Sequence, residues 1–259
     1  MPDNIAETSK TKIAIITGGS RGLGRNTAIA LARTGVDVIL TYNSNRAEAD
    51  SAVAEISALG RKAAALQLDA GSVASFPAFA AEAKTVLADW GTDRFDFLVN
   101  NAGYQLRGAF GEITEADFDS LVNIHLKGVL FLSQTLVPLL RDGGRIINIS
   151  SGLARFTGPG SLVYGSLKGA VEVMSRYLAQ ELGPRGIAVN VVAPGAIETD
   201  FGGALIRNNP QVKAHIASLT ALGRTGVADD IGPMIASLLS DANRWVNGQR
   251  IEVSGGMHL

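Results

Sequence analysis

Tyr164 and Lys168 form a Tyr-x-x-x-Lys pair, Tyr164-Gly165-Ser166-Leu167-Lys168. Residues four apart on a helix share one face, one turn apart, so the spacing predicts an ammonium beside a phenol. A free phenol has a pKa of about 10 and is a poor base near neutral pH. A nearby cation favours the phenolate and lowers that value; bringing it to about 7 takes roughly 4 kcal/mol of differential stabilisation. A phenol tuned in this way can exchange a proton with an alcohol or carbonyl oxygen. Taken alone, the same pair describes an amphipathic helix with a surface lysine. Its context is a glycine-rich turn far upstream, Thr17-Gly18-Gly19-Ser20-Arg21-Gly22-Leu23-Gly24.

The elements that must position these residues alternate along the chain. Short apolar runs predict strands at residues 13–17, 36–42, 62–68, 95–99, 145–150, 187–192 and 250–253. Helical patterns fall between them, at 22–34, 45–59, 72–90, 114–141, 161–182 and 228–240, with Thr114 and Asp117 placed to cap the fourth. Strands that are apolar throughout, separated by helices, imply a parallel sheet covered on both faces. The expected fold class is therefore α/β: one Rossmann-type domain over residues 1–259, a doubly wound parallel sheet of about seven strands. Residues 196–225 show no clear pattern, and a loop of that length is expected to be a substrate lid.

A strand, a glycine turn and a helix together make a dinucleotide site. Glycines let the backbone approach the pyrophosphate, and the helix N-terminus presents free N–H groups. The spacing here is Gly-x-x-x-Gly-x-Gly, through Gly18, Gly22 and Gly24. Gly18, Ser20, Arg21, Gly22 and Leu23 are the expected contacts of the turn, with Asn43 and Ser44 after the second strand. That strand ends Tyr42-Asn43-Ser44-Asn45-Arg46, without the carboxylate that an NAD-preferring site carries there. Arg21 and Arg46 are each placed to pair with a 2′-phosphate, or else are solvated surface charges. The expectation is NADPH over NADH.

With these motifs in order, the chain resembles the short-chain dehydrogenase/reductase family over nearly its whole length. The resemblance is carried by the glycine turn, Asn100-Asn101-Ala102-Gly103, Ser151, the Tyr164/Lys168 pair, Pro194-Gly195, and the stretch from Gly223-Arg224 through Asp230-Ile231 to Gly255-Gly256. It implies that Ser151, Tyr164 and Lys168 are catalytic. Ser151 would hydrogen-bond the substrate oxygen, with Ser150 its rival by adjacency, and Lys168 would also hold the nicotinamide ribose. It implies that Asp69 meets the adenine, that Asn100, Ala102 and Gly103 line the adenosine side, and that Pro194, Gly195, Ile197 and Thr199 meet the nicotinamide end. Asp69 is also a natural turn cap. One departure stands out: His125, in Ile124-His125-Leu126-Lys127-Gly128, takes a position where the family carries Asn. An imidazole there either tunes proton transfer near neutral pH or is simply packed. By position, Tyr104, Arg155, Phe156 and Phe201 border the substrate cleft, and residues 206–215 shape it.

The implied activity is reduction of a ketone or other carbonyl, similar to 3-oxoacyl-thioester, sugar or ketone reductases. The oxidative direction, as an alcohol or sugar dehydrogenase, is the alternative, and a non-catalytic NADP sensor a more distant one. A net charge of −1 gives no electrostatic case for nucleic acid or an anionic membrane. The absence of cysteine excludes disulfides and thiolate chemistry and fits a cytoplasmic protein. His125, His215 and His258 lack metal-ligand spacing. Residues 1–11 show no leader pattern, and the apolar stretch 129–140 is expected to be a buried helix too short to span a bilayer. The family resemblance implies a homotetramer, with the C-terminal Gly-Gly-Met-His-Leu tail in its interfaces.

Overall fold

Strand β1 (Ile13–Ile16) shows why the strands are apolar throughout: Ala14 and Ile16 join one core cluster and Ile13 and Ile15 the other. Successive side chains point to opposite faces, and both faces are covered. The computed structural model describes residues 11–259, so the start of the chain, 1–10, lies outside the described residues. The other strands are β2 (Asp37–Tyr42), β3 (Ala63–Gln67), β4 (Phe95–Asn100), β5 (Leu140–Ile149), β6 (Ala188–Pro194) and β7 (Arg250–Val253). They form one sheet in the order β3-β2-β1-β4-β5-β6-β7, with every neighbouring pair parallel.

Helices α1 (Gly22–Arg33), α2 (Arg46–Ala58), α3 (Phe76–Asp89), α4 (Glu115–Val122), α5 (Gly128–Leu136), α6 (Leu162–Leu182), α7 (Leu205–Asn208), α8 (Pro210–Ser218) and α9 (Gly232–Leu238) connect the strands. The first cluster takes Leu31 from α1, Ile56 from α2 and Ile235 from α9; the second takes Phe76 and Phe79 from α3, Leu132 and Leu136 from α5 and Ala179 from α6. The strand order reverses between β1 and β4. Outside the carboxyl ends of the strands at such a switch point lies the crevice where doubly wound sheets bind ligands.

Two stretches differ from the sequence expectation. The helix expected over 114–141 starts as predicted, with the Thr114 side chain accepting from Asp117 N at 3.1 Å. It then widens into a π turn over Asn123–Lys127, continues as α5, and closes in a 3₁₀ turn, Val137–Leu139, containing Pro138. Arg141 already belongs to β5. The helical run 115–139 is long and apolar enough to cross a membrane by length and composition alone, unlike the shorter stretch considered above; here Leu132, Leu136 and Leu139 pack it against the sheet as a core helix.

The second difference is the segment expected to lack structure, 196–225, which contains α7 and α8. Pro210 starts α8, and the Asn209 side chain caps it, accepting from Gln211 N and Val212 N at 3.0 Å each. Neither helix buries a residue fully, so no apolar face announces them in the sequence.

Candidate active site

Strand β5 ends at Ile149, and Ser151 follows in extended backbone, its Oγ accepting from Leu153 N at 3.2 Å. Tyr164 and Lys168 occupy the first two turns of α6 and are both buried. The Lys168 Nζ donates to the Ile149 carbonyl at 2.8 Å and lies 5.5 Å from the centroid of the Tyr164 ring. The ammonium therefore stands beside the phenol, as the four-residue spacing requires. Ser150 turns the other way: its hydroxyl donates to Glu172 Oε1 at 2.7 Å. Ser151 is the serine whose side chain meets Tyr164.

The electrostatics differ from the expectation of a phenol with a lowered pKa. In the free protein, burial pushes the Tyr164 phenol well above its ordinary value, and its contact with the Ser151 hydroxyl only partly opposes this. Burial also lowers Lys168, to about 7. Desolvation is thus the leading cause of both shifts in the pair.

His125 lies in the π turn with 1% exposure. Its Nε2 is 2.7 Å from the Tyr104 carbonyl, and its ring meets the Tyr164 ring edge-on, centroids 5.1 Å apart and planes at 86°. A carbonyl only accepts, so Nε2 carries the proton and Nδ1 is a bare acceptor, without a hydrogen-bond partner among the described residues. Gly103 is the residue that admits the ring: a Cβ there would stand 2.5 Å from His125 Cε1. Burial, followed by the charge of Lys168, lowers His125 to about 3. The imidazole is thus neutral at physiological pH, which favours the packed alternative over one that titrates there.

The glycine turn fits an anionic, extended ligand. Gly18 and Gly22 have φ of +63° and +55°, which disfavours any residue with a Cβ. A Cβ on Gly24 would lie 2.2 Å from the Gly18 carbonyl, so helix and turn touch. Arg21 is the N-cap and makes no side-chain cap, and the first turn of α1 carries no acid. Its N–H groups are free for a phosphate. Ser20 is buried in the turn and Leu23 packs against the core beneath it. Above the start of α1 a cleft of about 260 Å³ is lined by Gly22, Asn26, Thr199, Asp200 and Arg207.

The remaining expected contacts divide. Pro194 ends β6, and the Gly195 N–H donates to the Val253 carbonyl at 3.0 Å. Ile197 bridges Gly226, and Thr199 faces Gly22. Asn43 and Ser44 are exposed just beyond β2, and Arg46 follows, its Nε donating to both carboxylate oxygens of Asp50 at 3.0 and 3.2 Å. Asp69 is exposed after β3 and caps a turn, accepting from Gly71 N at 2.9 Å. The backbone N–H of Ala102 donates to Thr17 Oγ1 at 2.9 Å.

Asn100 departs from its expected place, because its side chain turns into the sheet. It donates to Ser133 Oγ at 3.0 Å and Asn148 Oδ1 at 2.8 Å, while Asn148 donates to Ser175 Oγ at 2.9 Å. Donations from these two buried amides tie β4 and β5 to α5 and α6, while the Asn100 Oδ1 finds no partner among the described residues. Arg155 and Phe156 also leave the cleft, turning toward the C-terminal residues. Tyr104 and Phe201 stay beside it, with the Phe201 ring 5.9 Å from that of Tyr164.

Sequence reasoning passed over the side chains that shape the glycine turn. The Asn101 amide donates to the carbonyls of Thr17 and Gly18 at 2.9 and 3.2 Å, Thr17 Oγ1 accepts from Asn101 N, and Thr41 Oγ1 accepts from Gly18 N. All but Thr41 lie inside motifs already quoted; polar residues flanking a glycine turn at strand ends were the signal available.

Two outcomes follow from these environments. Lys168 binds its proton at about 7 in the folded chain and at 10.5 unfolded. Between those values unfolding takes up a proton, so the fold gains stability as pH rises. Lys168→Met removes this cost. By urea unfolding of the ligand-free proteins, its advantage over wild type should be greatest near and below pH 7 and shrink toward about pH 10; a constant difference contradicts the assignment. His125→Asn should change the size of turnover but not the shape of its pH profile between about 5 and 9, where an unperturbed imidazole titrates. Loss of an inflection near about 6.5 would show that His125 ionises in catalysis.

A family model described as enoyl-(acyl carrier protein) reductase matches residues 18–258. The tetrahydroxynaphthalene reductase PfmaG of Pestalotiopsis fici is 35% identical over 95% of this chain and 91% of its own. The 3-oxoacyl-[acyl-carrier-protein] reductase FabG of Staphylococcus aureus is 36% identical over 96% and 99%. Among solved structures, the angucycline C-6 ketoreductase LanV with bound NADP superposes with a TM-score of 0.90 at 34% identity, covering 95% of each chain. A parallel seven-stranded sheet, a glycine turn at its switch point and a serine, tyrosine and lysine gathered at its carboxyl edge accompany these matches, and the chain belongs to the short-chain dehydrogenase/reductase family.

Proposed function

We propose that this protein is an NADPH-dependent reductase of ketones. The observation that carries the reading is the meeting of Ser151, Tyr164 and Lys168 at the mouth of a crevice whose floor is a phosphate-compatible glycine turn. Relatives named for keto-reduction, one of them solved with NADP, support it.

The residues act as follows. The turn at Gly18–Gly22 and the free amides of α1 would hold the pyrophosphate. Lys168 would bind the nicotinamide ribose, and Ile197 and Thr199 would meet the carboxamide. When bound, the coenzyme supplies the hydride for the carbonyl carbon. Ser151 donates a hydrogen bond to the carbonyl oxygen and stabilises the negative charge that develops there. Tyr164 gives its proton to that oxygen. A phenol kept protonated by burial is a fully loaded acid for this step. His125 is a neutral wall that fixes the Tyr164 ring rather than a proton carrier.

The substrate is a ketone with an apolar, planar body. The aromatic rings of Tyr104 and Phe201 beside Tyr164 favour it, as do the hydroxynaphthalene and angucycline reductases among the relatives. Residues 196–225 serve as the lid. The enzyme is soluble and cytoplasmic, and it assembles as a homotetramer. Leu130 and Phe131 on α5 with Val173 and Tyr177 on α6 are exposed apolar residues available for an interface.

Arg21 and Arg46 give the preference for NADPH. Arg46 is exposed; among the described residues its one ion pair is with Asp50 on its own helix, and its guanidinium lies 5.9 Å from the Tyr42 ring centroid. Such a pair is worth little in water, so the guanidinium is readily redirected to a phosphate. NADPH should bind at least about tenfold more tightly than NADH, the worth of one or two charge-assisted hydrogen bonds; tighter NADH binding contradicts this.

Turnover is tested by NADPH oxidation with aryl and polycyclic ketones, an acetoacetyl thioester and an enoyl thioester. Ketones should be reduced. Tyr164→Phe should lower turnover at least about 100-fold with NADPH affinity retained. A substantially active phenylalanine variant, or turnover of the enoyl thioester alone, would overturn the reading.

A further inference from the structure

Arg155, four residues after Ser151, faces away from the crevice and clamps the end of the chain. Its Nε and Nη2 donate to Glu252 Oε2 and Oε1, both at 2.7 Å. Nη1 donates to the His258 carbonyl at 2.9 Å and Nη2 to that of Met257 at 2.8 Å. Four of the five N–H groups of the guanidinium are thus committed. The next residue joins in: the Phe156 ring packs on the His258 ring, centroids 4.5 Å apart. His258 has φ of +53°, a conformation that disfavours a β-carbon and that its surroundings must hold.

Glu252 leads back to Ser151. It also accepts from Arg250 Nη1 and Ser254 Oγ, both at 2.9 Å. Arg250 in turn donates to Glu172 at 2.7 Å and, more weakly at 3.4 Å, to the Ser151 carbonyl. Glu172 is the acceptor of the Ser150 hydroxyl. The network starts at the last residues of the chain and ends at the Ser150–Ser151 backbone.

The same C-terminal turn touches two further walls of the crevice. The Ala221 and Leu222 N–H groups donate to the carbonyls of Gly256 and Gly255 at 3.1 and 3.0 Å, and the His258 N–H donates to that of Leu219 at 3.1 Å. Those residues follow α8 directly and end the segment over the crevice. On the other side, a Cβ on Gly195 would lie 2.8 Å from Ser254. The turn can run this close to both because Gly255 and Gly256 take φ of +65° and +78°.

We propose that Arg155 is a positioning residue for carbonyl reduction: by clamping residues 254–258 it keeps the Ser151 loop, the Pro194-Gly195 turn and the exit of the lid in one register. This deepens the ketone-reductase reading and rests on it for the kinetic consequence. A half-exposed ion pair adds little stability. Its worth here is geometric, since small displacements of positioned groups cost large factors in rate.

The test uses Arg155→Ala, Arg155→Lys and a chain ending at Ser254. Thermal unfolding, NADPH affinity, kcat and KM for the best ketone, and hydrogen–deuterium exchange without substrate are measured on each. Arg155→Ala and the shortened chain should both lose about tenfold or more in kcat/KM, with a smaller loss of NADPH affinity. Both should exchange faster in residues 151–156 and 205–222 together, with Arg155→Lys intermediate. Unchanged exchange in 205–222, or kcat/KM unaffected by either change, would overturn the proposal and leave Arg155 a surface staple. If Arg155→Ala does not fold, the lysine variant and the shortened chain decide by the same criteria. If wild type reduces no ketone, the function reading fails on its own, and the exchange data still show whether Arg155 ties these loops together.

Discussion

Everything in this molecule that bears on chemistry depends on keeping one lysine and one tyrosine side by side out of water. Burial works against the ammonium and against the phenolate, so neither charge is cheap here. Among the described residues Lys168 has one internal acceptor, the Ile149 carbonyl at 2.8 Å. That contact holds only if the end of β5 and the second turn of α6 are fixed against each other. The chain of amides and hydroxyls through Ser133, Asn100, Asn148 and Ser175 fixes them. Hydrogen-bonded polar groups in a core favour one arrangement where apolar packing alone tolerates several, although the Asn100 Oδ1 has no partner among the described residues. Asn100 therefore belongs to the site although its side chain never faces the crevice.

The sheet order supplies the rest. Because β4 returns beside β1, the glycine turn after β1 and the loop after β4 open onto the same crevice. Asn101 and Thr17 bind those two loops to each other. Ser151 leaves β5, Pro194-Gly195 leaves β6, and α6 delivers Tyr164 and Lys168 from the side. Parallel strands release all their loops at one end, so groups distant in sequence gather without long excursions of chain.

How much of this was legible follows from what leaves a mark in sequence. Strands buried on both faces are apolar throughout, so β1, β2, β4 and β6 were plain. The Tyr164/Lys168 pair and the glycines were plain because their spacing is itself the mechanism. The π turn at His125 was hidden, because one extra residue in a helix turn changes no composition. Just after it, Gly128 packs so closely on Ala70 that a Cβ would lie 2.1 Å from the Ala70 carbonyl. The direction of the Tyr164 shift is hidden for a related reason. Spacing shows that two groups are neighbours but not how dry their surroundings are. A motif places Asn100 on the adenosine side and chain position places Arg155 beside the substrate cleft, but neither says which way a side chain turns. Helices α7 and α8 escaped because they bury no face.

The central claim is that desolvation, not the neighbouring lysine, governs Tyr164 in the free protein. It is tested most directly by titrating the tyrosine ring carbons by NMR, in protein labelled with ¹³C at the ζ position. The chain has four tyrosines, and the signal missing from Tyr164→Phe identifies the one in question. The account predicts that this signal keeps its phenol position at alkaline pH where exposed Tyr177 has already shifted to phenolate. A Tyr164 that ionises before Tyr177 would contradict it and restore Lys168 as the dominant influence on the pair.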